Sequence, residues 1–450
     1  MIPARTAANG ILWLLLILGI AGAAQAQAPG RDFLPDDHAP GEPLPWGLPV
    51  AEIRLEGLKR TRESVVTREL LTRVGEPCLL ENLEQEVRDL EQLDIFADLS
   101  VTAATAGDQV VLTYRFEELF KFLPTVGIKF SDETGVSAGG GVKIPNLGGR
   151  GVYLSARVMF GGATELEVLL KNRNLGGNHF GYDLEYYHRD KENQIAGFLE
   201  NADELYLRFG PRLGQHGRVG GRIEFVSMRS DRDGVTLNPN NHDKNSRLGL
   251  FLGYDSLDAF VGTTTGWWSE IMLTQAIKLF PNSSGYTQGD LDLRRYVALA
   301  GDHTLALFSL TTLRSGTVGS DIAPWERFGI GGTNTVRGWT FAAQTGKNQM
   351  INTAEYRFTL LKPRPWNLPF NFRYRGGLQL AAFVDYGLGW DDGPEFAADN
   401  FITGYGVGAR LLIPIVGMAR IDFGWGESGQ GVFLHLGSFE KATAARKRVR

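Results

Sequence analysis

The chain has 450 residues, a formal net charge of −5 at pH 7, one cysteine and a mean hydropathy of −0.14. The mildly acidic balance excludes the basic face of a nucleic-acid-binding protein, and the lone Cys78 excludes an internal disulfide. No run beyond the N-terminus is apolar enough for a membrane helix, which excludes a helical membrane protein but not one that crosses a bilayer with β-strands.

The N-terminus has the three parts of a secretory signal peptide. Arg5 is followed by an apolar run over residues 11–24, and the small residues Ala24 and Ala26 fit a cleavage site. A transmembrane anchor is the alternative, but the run is shorter than the roughly 20 residues that span a bilayer. We therefore predict a signal peptide over residues 1–26 and an exported mature chain.

Two segments with different patterns follow the signal peptide. Residues 27–50 are rich in proline and predict an extended, flexible leader. Residues 51–118 alternate like a strand, then show two stretches of helical spacing at 63–74 and 80–93, and then alternate twice more. This order predicts a small α+β domain that is large enough to bury one core.

The rest of the chain predicts an antiparallel barrel over residues 119–439. Sixteen amphipathic strands are predicted, at 123–131, 137–146, 152–161, 164–174, 181–190, 204–214, 217–230, 245–256, 265–278, 286–300, 303–316, 348–362, 376–390, 403–414, 417–426 and 429–439. A basic tail at 440–450 ends the chain.

The connections between the predicted strands alternate in length. Short turns such as 214–217 and 301–303 take every second junction, and longer polar loops such as 317–347 take the others. This is typical of an outer-membrane barrel with short periplasmic turns and longer outer loops, whereas a soluble β-sandwich does not account for it. The connection at 362–376 is a long exception on the short side. An even strand count puts the α+β domain in the periplasm.

The longest outer loop contains the stretch "GGTNTVRGWTF" at 331–341, with one arginine. If the loop folds into the lumen, Arg337 can reach Glu355 and Asp385, which lie on the inward parity of the next two strands. A guanidinium pairs directionally with carboxylates, and the pair would brace the loop against the wall. The tight reversal would use Gly331, Gly332 and Gly338. The alternative is a solvated surface arginine.

Catalytic and cofactor signals are weak. "GVSAG" at 135–139 matches the pattern around a nucleophilic serine, but no helix follows Ser137, and the stretch lies at a barrel hairpin. Seven scattered histidines show no metal-ligand spacing. We expect no enzyme activity, no metal and no cofactor.

The loop and the last strands resemble the BamA/TamA superfamily of outer-membrane insertases and transporters. The residues that carry the resemblance are "VRGW" in the loop (Val336, Arg337, Gly338 and Trp339), "FVDYG" around Asp385, and the final three strands. Residues 51–118, with "LDIFADLSV", resemble a POTRA (polypeptide-transport-associated) domain. The resemblance implies that Arg337 contacts acidic residues on strands twelve and thirteen, here Glu355 and Asp385.

The resemblance also implies a weak seam between the first and last barrel strands, 123–131 and 429–439, where client strands enter the membrane. The seam residues we single out are Gly429, Gly431, Gly437 and Phe439. The glycines leave the last strand weakly packed, although glycines that let the barrel bend are an equal alternative. The resemblance implies an assembly and insertion factor or a polypeptide transporter, with secretion of one passenger or a passive porin-like channel as alternatives.

The implied partners are outer-membrane lipids and unfolded or nascent exported polypeptides, with periplasmic chaperones or accessory subunits as further candidates. No nucleic-acid partner is expected. The sequence departs from the family in having one POTRA-like domain, which leaves a dependence on accessory lipoproteins open. It also continues past Phe439 into the basic tail.

Overall fold

The computed structural model describes residues 33–34, 44–91, 93–175, 179–214, 216–257, 263–368, 372–413, 417–427 and 429–437. Within these residues, a small α+β domain precedes a sixteen-stranded antiparallel sheet. The predicted fold class is confirmed. None of the helices in the described ranges is long and apolar enough to cross a lipid bilayer.

The N-terminal domain packs two helices on a three-stranded sheet. Its elements are β1 (Val50–Glu56), α1 (Glu63–Thr67), α2 (Leu80–Glu91), β2 (Phe96–Ala106) and β3 (Gln109–Glu118). The strand order is β1-β3-β2, with β1 parallel and β2 antiparallel to β3. Helix α2 buries Leu83, Val87 and Leu90 in the core, a spacing that places all three on one helix face. Cys78 is buried in the same core.

Helix α1 is shorter than the helical spacing of residues 63–74 predicts. It ends at Thr67, and the N–H groups four and five residues later bond to a side chain instead of a helix carbonyl. The Glu86 carboxylate accepts hydrogen bonds from the N–H groups of Leu71 at 2.8 Å and Thr72 at 2.5 Å. These donors therefore do not continue the helical ladder.

The larger sheet contains sixteen of the remaining eighteen strands. In chain order, the remaining strands are β4 (Leu123–Ser131), β5 (Gly135–Leu147), β6 (Val152–Gly161), β7 (Ala163–Leu175), β8 (Phe180–Asn193), β9 (Phe198–Leu213), β10 (Gly217–Ser230), β11 (His242–Asp255), β12 (Gly266–Ile277), β13 (Thr287–Ala298), β14 (His303–Arg314), β15 (Phe328–Ile330), β16 (Gln344–Gly346), β17 (Asn348–Leu368), β18 (Phe372–Trp390), β19 (Ile402–Ile413), β20 (Gly417–Gly426) and β21 (Gly429–Gly437). Strands β15 and β16 form a separate hairpin in the longest outer loop, which the sequence pattern did not predict.

The prediction of a long connection at 362–376 is wrong. Strands β17 and β18 continue through this region and pair as far as Leu368 and Phe372. Two register shifts, between Thr359 and Leu361 and between Leu361 and Arg364, interrupt the alternation. Because a shift moves the side-chain pattern off its period of two, the sequence loses its strand signal there although the pairing continues.

The two faces of the large sheet differ as the alternation predicts. On β11 and β12, Leu250, Leu252 and Ile271 are among the most exposed large apolar side chains, whereas Arg247 and Glu270 are buried on the other face. An apolar outer face and a charged inner face are the pattern of a barrel wall between lipid and lumen.

Strands β4 and β21 are the two ends of the large sheet. Their backbones lie side by side, with Cα atoms within 8 Å of each other. Within the described ranges, however, no hydrogen-bonded ladder joins them. The wall therefore curves round until its first and last strands are neighbours, without a continuous ladder at their junction.

The N-terminal domain contacts the short-turn side of the barrel. The Arg62 N–H donates to the Gly149 carbonyl at 3.0 Å, and the Asn146 side chain donates to the Thr61 hydroxyl at 2.8 Å. A guanidinium nitrogen of Arg212, near the end of β9, lies 3.1 Å from a carboxylate oxygen of Asp89 on α2. The domain is thus held against the first half of the barrel wall.

Candidate functional site

The loop at 331–341 turns inward and lies against the inner wall formed by β17 to β20. The turn is closed by a hydrogen bond from the Gly332 N–H to the Val336 carbonyl, at 3.1 Å. Gly338 has a φ of +97°, and a β-carbon there would lie 2.4 Å from the Trp425 backbone carbonyl. Both the conformation and the close approach therefore require glycine at position 338.

The structure brings together the three charged residues that the sequence singled out. Arg337 Nε lies 2.7 Å from Asp385 Oδ2, and Nη2 lies 2.9 Å from Oδ1, so this pair is bidentate. Arg337 Nη1 lies 3.2 Å from Glu355 Oε2. The guanidinium also stacks on the Phe383 ring, 3.3 Å from the ring centre. Arg337 is 2% exposed, so the solvated-arginine alternative does not hold.

Four further charged residues complete the cluster, and the sequence analysis did not assign them to the site. Asp422 on β20 accepts from Arg337 Nη1 at 2.9 Å and also from Arg410 on β19. Arg410 Nη2 lies 2.6 Å from Glu355 Oε2, and Arg357 Nε lies 2.7 Å from Glu355 Oε1. Arg420 Nε lies 3.0 Å from Asp422 Oδ2. The same alternation that selected Glu355 and Asp385 also marks these residues as inward, so the signal was present.

The charged cluster is buried and nearly balanced. It contains four arginines (337, 357, 410 and 420) and three carboxylates (355, 385 and 422), each at most 3% exposed. Arg420 Nη2 donates to the Thr333 carbonyl at 2.6 Å, which ties a fourth cation to the loop backbone. Arg337 and Asp385 form a buried ion pair, and removing either partner takes this pair from the other buried charge, at a cost of about 3–5 kcal/mol. The cluster therefore fixes the loop to β17, β18 and β20, and Arg410 on β19 links the carboxylates of Glu355 and Asp422.

Val336 and Trp339, which flank Arg337 and Gly338, are held by apolar packing. Val336 is buried in a cluster with Leu310, Ile330, Ile351 and Ile402, and Trp339 packs against it. Trp339 Nε1 donates to the Thr403 carbonyl at 2.9 Å. Both residues of the signature thus contact the wall.

Glycines on β19 and β20 allow the loop backbone to approach the wall. A β-carbon at Gly404 would lie 1.7 Å from the Arg337 carbonyl oxygen, and one at Gly424 would lie 2.8 Å from the Gly338 nitrogen. A β-carbon at Gly426 would lie 2.6 Å from Trp339 Nε1. The absence of a side chain at these three strand glycines leaves room for the loop backbone. The alternating sequence pattern does not distinguish them from glycines that let the barrel bend.

The same loop contacts the first hairpin of the barrel. Asp132, in the turn between β4 and β5, accepts hydrogen bonds from the Thr333 N–H and, at 2.7 Å, from the Thr333 hydroxyl. The loop is therefore bound at one end beside the first strand and at the other, through Arg337 and Asp422, beside the last strand. It thus contacts the neighbouring elements on both sides of the junction between β4 and β21.

The predicted seam glycines lie on the last strand. Gly429 pairs with Gly426, Gly431 with Gly424, and Gly437 with Met418, so β21 is paired with β20 along its length. Gly429 has a φ of +132°. Phe439 lies outside the described residues. In the described part of β4 and β21, no hydrogen-bonded ladder joins the two strands at the junction.

Ser137 is a buried strand residue whose hydroxyl is hydrogen-bonded to the neighbouring backbone. It lies within β5 and is 1% exposed, and its hydroxyl accepts from the Ala163 N–H at 3.1 Å. It is not followed by a helix. The strand context agrees with the sequence argument against a nucleophile.

Family models match most of the chain. A model described as an Omp85 superfamily domain matches residues 146–433, and one described as a surface antigen variable number repeat, the POTRA model, matches residues 48–119. Among curated proteins, the outer membrane protein assembly factor BamA of Nitratidesulfovibrio vulgaris is 23% identical over 421 residues, which cover 87% of this chain and 50% of that protein. The chain spans about half the length of that relative.

Solved structures share the fold. BamA from Haemophilus ducreyi lacking POTRA domains 1–3 superposes with a TM-score of 0.58 at 15% identity, covering 86% of this chain and 83% of that one. CdiB from Escherichia coli superposes with a TM-score of 0.59 at 12% identity, covering 87% of this chain and 76% of that one.

A second curated protein matches a shorter part of the chain. The chloroplastic outer envelope protein 80 of Arabidopsis thaliana is 28% identical over 137 residues, which are 28% of this chain and 16% of that protein.

Proposed function

Because the chain belongs to the Omp85 superfamily, as its resemblance predicted, we propose that it inserts or transports polypeptides at the membrane in which it resides. It is an outer-membrane protein, and its POTRA domain lies in the periplasm. Its proposed substrates are unfolded or nascent outer-membrane or exported polypeptides. Outer-membrane lipids, and chaperones or accessory subunits in the periplasm, are its proposed partners.

The observation that carries this proposal is the junction of β4 and β21. The two strands lie side by side, yet no ladder joins them in the described ranges. An unpaired backbone group in hydrocarbon costs several kcal/mol, so an incoming strand needs a partner edge before it meets lipid. An edge of this wall supplies such a partner by β-augmentation. We propose that Gly429, Gly431 and Gly437 make the last strand easy to separate, and that Phe439 belongs to the same seam.

The charged cluster has a supporting role in this proposal. Arg337 holds the loop on β17 to β20 through Glu355, Asp385 and Asp422. Val336, Gly338 and Trp339 shape the turn that seats it. We propose that this brace keeps the last strands in register while β21 separates from β4. The brace then acts as a positioning element, and no bond of the substrate is broken or formed there.

Insertion into the membrane is the version of this activity that we favour. Secretion of one passenger polypeptide uses the same architecture and is the second candidate, since CdiB structures share the fold. A passive porin-like channel is disfavoured because the loop and its buried ion pairs occupy the lumen side of the wall. A pore for small solutes needs neither feature.

Depletion followed by quantitation of the outer-membrane proteome tests the proposal. Insertion predicts loss of many barrel proteins, restored by the wild-type gene but not by one encoding Arg337→Ala. Secretion predicts loss of one exported polypeptide with the barrel proteins unchanged. If neither class changes while uptake of small solutes falls, the channel alternative replaces the proposal.

A further inference from the structure

Two arginine–tryptophan pairs lie back to back in the wall, where the start of β12 faces the end of β13. Trp267 and Trp268 are the register partners of Arg295 and Arg294. Arg295 Cζ lies 5.0 Å from the Trp267 ring centre, and Arg294 Cζ lies 4.2 Å from the Trp268 ring centre. Because neighbouring strand residues point to opposite faces of a sheet, one pair faces the lumen and the other faces lipid.

The pair of Arg294 and Trp268 belongs to the lumen face. Arg294 has the parity of Asp290 and Asp292, which are both buried on the charged inner side of β13. Its Nε atom lies 3.4 Å from Asp292 Oδ1, and the residue is 6% exposed. This arginine therefore has a carboxylate partner within the wall, as the arginines of the charged cluster do.

Arg295 lies on the lipid face and has no such partner among the described residues. Its register partners are Trp267 on one side and Leu307 on the other, and Leu293 precedes it on the same face. The side chain is half-buried, and its Nε atom is enclosed without a hydrogen-bond partner. A cation on the lipid face costs about 2–4 kcal/mol at the bilayer midplane but only about 0–1 kcal/mol near the interface. Its depth in the membrane therefore decides what it can do.

The pair of Arg295 and Trp267 lies at the periplasmic end of the wall. Strand β13 runs toward the short turn at 299–302, and Arg295 is three residues from its last residue, Ala298. Trp267 is the second residue of β12. The N-terminal domain contacts this same short-turn side of the barrel, through the Gly149 carbonyl. Tryptophan is enriched at membrane interfaces, so the pair is at the level of lipid headgroups.

We propose that Arg295 and Trp267 form a binding site for the headgroup phosphate of an anionic phospholipid in the periplasmic leaflet of the outer membrane. A guanidinium presents its N–H donors in a fixed plane that matches two oxygens of a phosphate. Stacking on the Trp267 ring holds that plane in one orientation. The buried counterpart, Arg294, has a carboxylate in this role, whereas Arg295 takes its anion from the membrane.

The surface beside the pair suits the rest of a lipid molecule. Ile271 and Leu273 follow Trp267 on the outer face of β12 and are 57% and 56% exposed. They extend from the headgroup level toward the middle of the bilayer, where acyl chains lie. No described carboxylate pairs with Arg295 and could also hold the ammonium group of a zwitterionic headgroup. This favours a lipid with a net negative charge.

The inference deepens one part of the proposed function, because it gives the proposed lipid partner a defined position. It rests on the location of the barrel in the outer membrane and requires no client polypeptide. Loss of the lipid site would therefore leave the depletion experiment unaffected, and failure of that experiment would leave the lipid site standing.

Native mass spectrometry of the full-length protein in detergent, titrated with phosphatidylglycerol, tests the site. Arg295→Gln should weaken binding of the first lipid about ten-fold or more, because it removes charge-assisted hydrogen bonds to the phosphate. Lys362→Gln is the matched control, since it removes a cation that is already paired with Asp302, at 2.8 Å, on the same side of the barrel. Its affinity should equal that of the wild type. Equal affinities of the wild type and Arg295→Gln, or equal losses in both variants, would overturn the proposal.

A second variant keeps the charge and removes the ring. Trp267→Leu should weaken phosphatidylglycerol binding in the same direction, whereas Trp267→Phe, which keeps an aromatic face, should retain most of the affinity. Heat-dependent gel migration checks that each variant is folded, and Trp267→Leu decides the question if Arg295→Gln does not fold. Affinity unchanged in Trp267→Leu would remove the tryptophan from the site and so contradict the proposal.

Two further ligands define what the site binds. Phosphatidylcholine should bind the wild type more weakly than phosphatidylglycerol, and inorganic phosphate at millimolar concentration should not displace phosphatidylglycerol, because it lacks acyl chains. Equal binding of the two lipids would refute the preference for an anionic headgroup. Displacement by inorganic phosphate would make Arg295 a site for the free anion and would refute the lipid assignment.

Discussion

Arg337 and Asp385, separated by 48 residues in the chain, meet in two parallel contacts of 2.7 and 2.9 Å. The Asp385 carboxylate also accepts from the Arg337 backbone N–H at 3.1 Å and from the Thr353 hydroxyl at 2.7 Å. One carboxylate on β18 therefore fixes both the backbone and the side chain of the loop arginine. This relationship makes position 337 sensitive to the shape of the cation as well as to its charge.

Arg337→Ala should release the loop at 331–341 from the wall. The change leaves the buried Asp385 carboxylate without the guanidinium that pairs with it, at a cost of about 3–5 kcal/mol to the bound state of the loop. Limited proteolysis of the folded protein checks this, with faster cleavage in the loop as the expected result. Activity in the depletion strain should fall in parallel.

Arg337→Lys is the matched control for charge. Lysine keeps the positive charge but cannot form the bidentate pair or stack on Phe383 in the same way. We expect cleavage rates between those of the wild type and Arg337→Ala. Unchanged protease access and unchanged activity in both variants would contradict the brace.

Gly404→Ala should displace the loop without altering any charge. The new methyl group would lie 1.7 Å from the Arg337 carbonyl oxygen, so the backbones must separate. Gly289→Ala is the control, because a β-carbon at this strand glycine meets nothing within 4 Å. Both variants should show the heat-dependent gel migration of a folded barrel, and faster loop cleavage should appear in Gly404→Ala alone. Equal cleavage in the two would argue against a tight fit at β19.

Asp132→Ala should loosen the other end of the loop. The change removes two acceptors for Thr333 and costs about 2 kcal/mol, or roughly thirty-fold in the exchange rate of the Thr333 amide hydrogen. Hydrogen exchange measured by mass spectrometry gives this rate, with Arg337 contacts expected to persist. Asp132→Asn, which keeps one acceptor, should have a smaller effect. If the exchange rate does not change, the contact with the first hairpin does not hold the loop.

Glu118→Gln should change how the stability of the POTRA domain depends on pH. Glu118 accepts hydrogen bonds from the backbone N–H groups of Lys59, Arg60 and Thr61. Burial acts to raise the pKa of the Glu118 carboxyl, but hydrogen bonds from Thr61 and Arg60 outweigh it and lower the pKa from 4.5 to about 2. A lowered pKa stabilises the fold above the unfolded value, and that contribution is lost as the pH falls from about 4.5 to about 2.

The variant should therefore be less stable at pH 7 and should lack this part of the acid dependence. Scanning calorimetry between pH 7 and pH 2 measures both effects through the unfolding transition of the POTRA domain. Glu117→Gln changes an exposed neighbouring carboxylate and serves as the control. Parallel profiles for Glu118→Gln and the wild type would contradict the role of this carboxylate.

Local pattern was enough to identify much of the fold. The period-two alternation located all sixteen wall strands, several with their observed bounds, because each strand has one face toward lipid and one toward the lumen. The same parity placed Glu355 and Asp385 on the inside. It failed at β17 and β18, where register shifts break the alternation, and at α1, where Glu86 captures the backbone donors.

The sequence by itself determined the α+β domain, the strand alternation and an arginine with two inward carboxylates in reach. It also predicts an export signal over residues 1–26, which lie outside the described residues. Only the tertiary structure decided that Asp422, Arg410 and Arg420 join that arginine, and that Gly404 and Gly424 leave room for the loop. It alone placed Thr333 on Asp132 and Phe33 in the POTRA core. Periodicity reports which face a side chain takes, whereas these contacts depend on how distant strands are brought together in space.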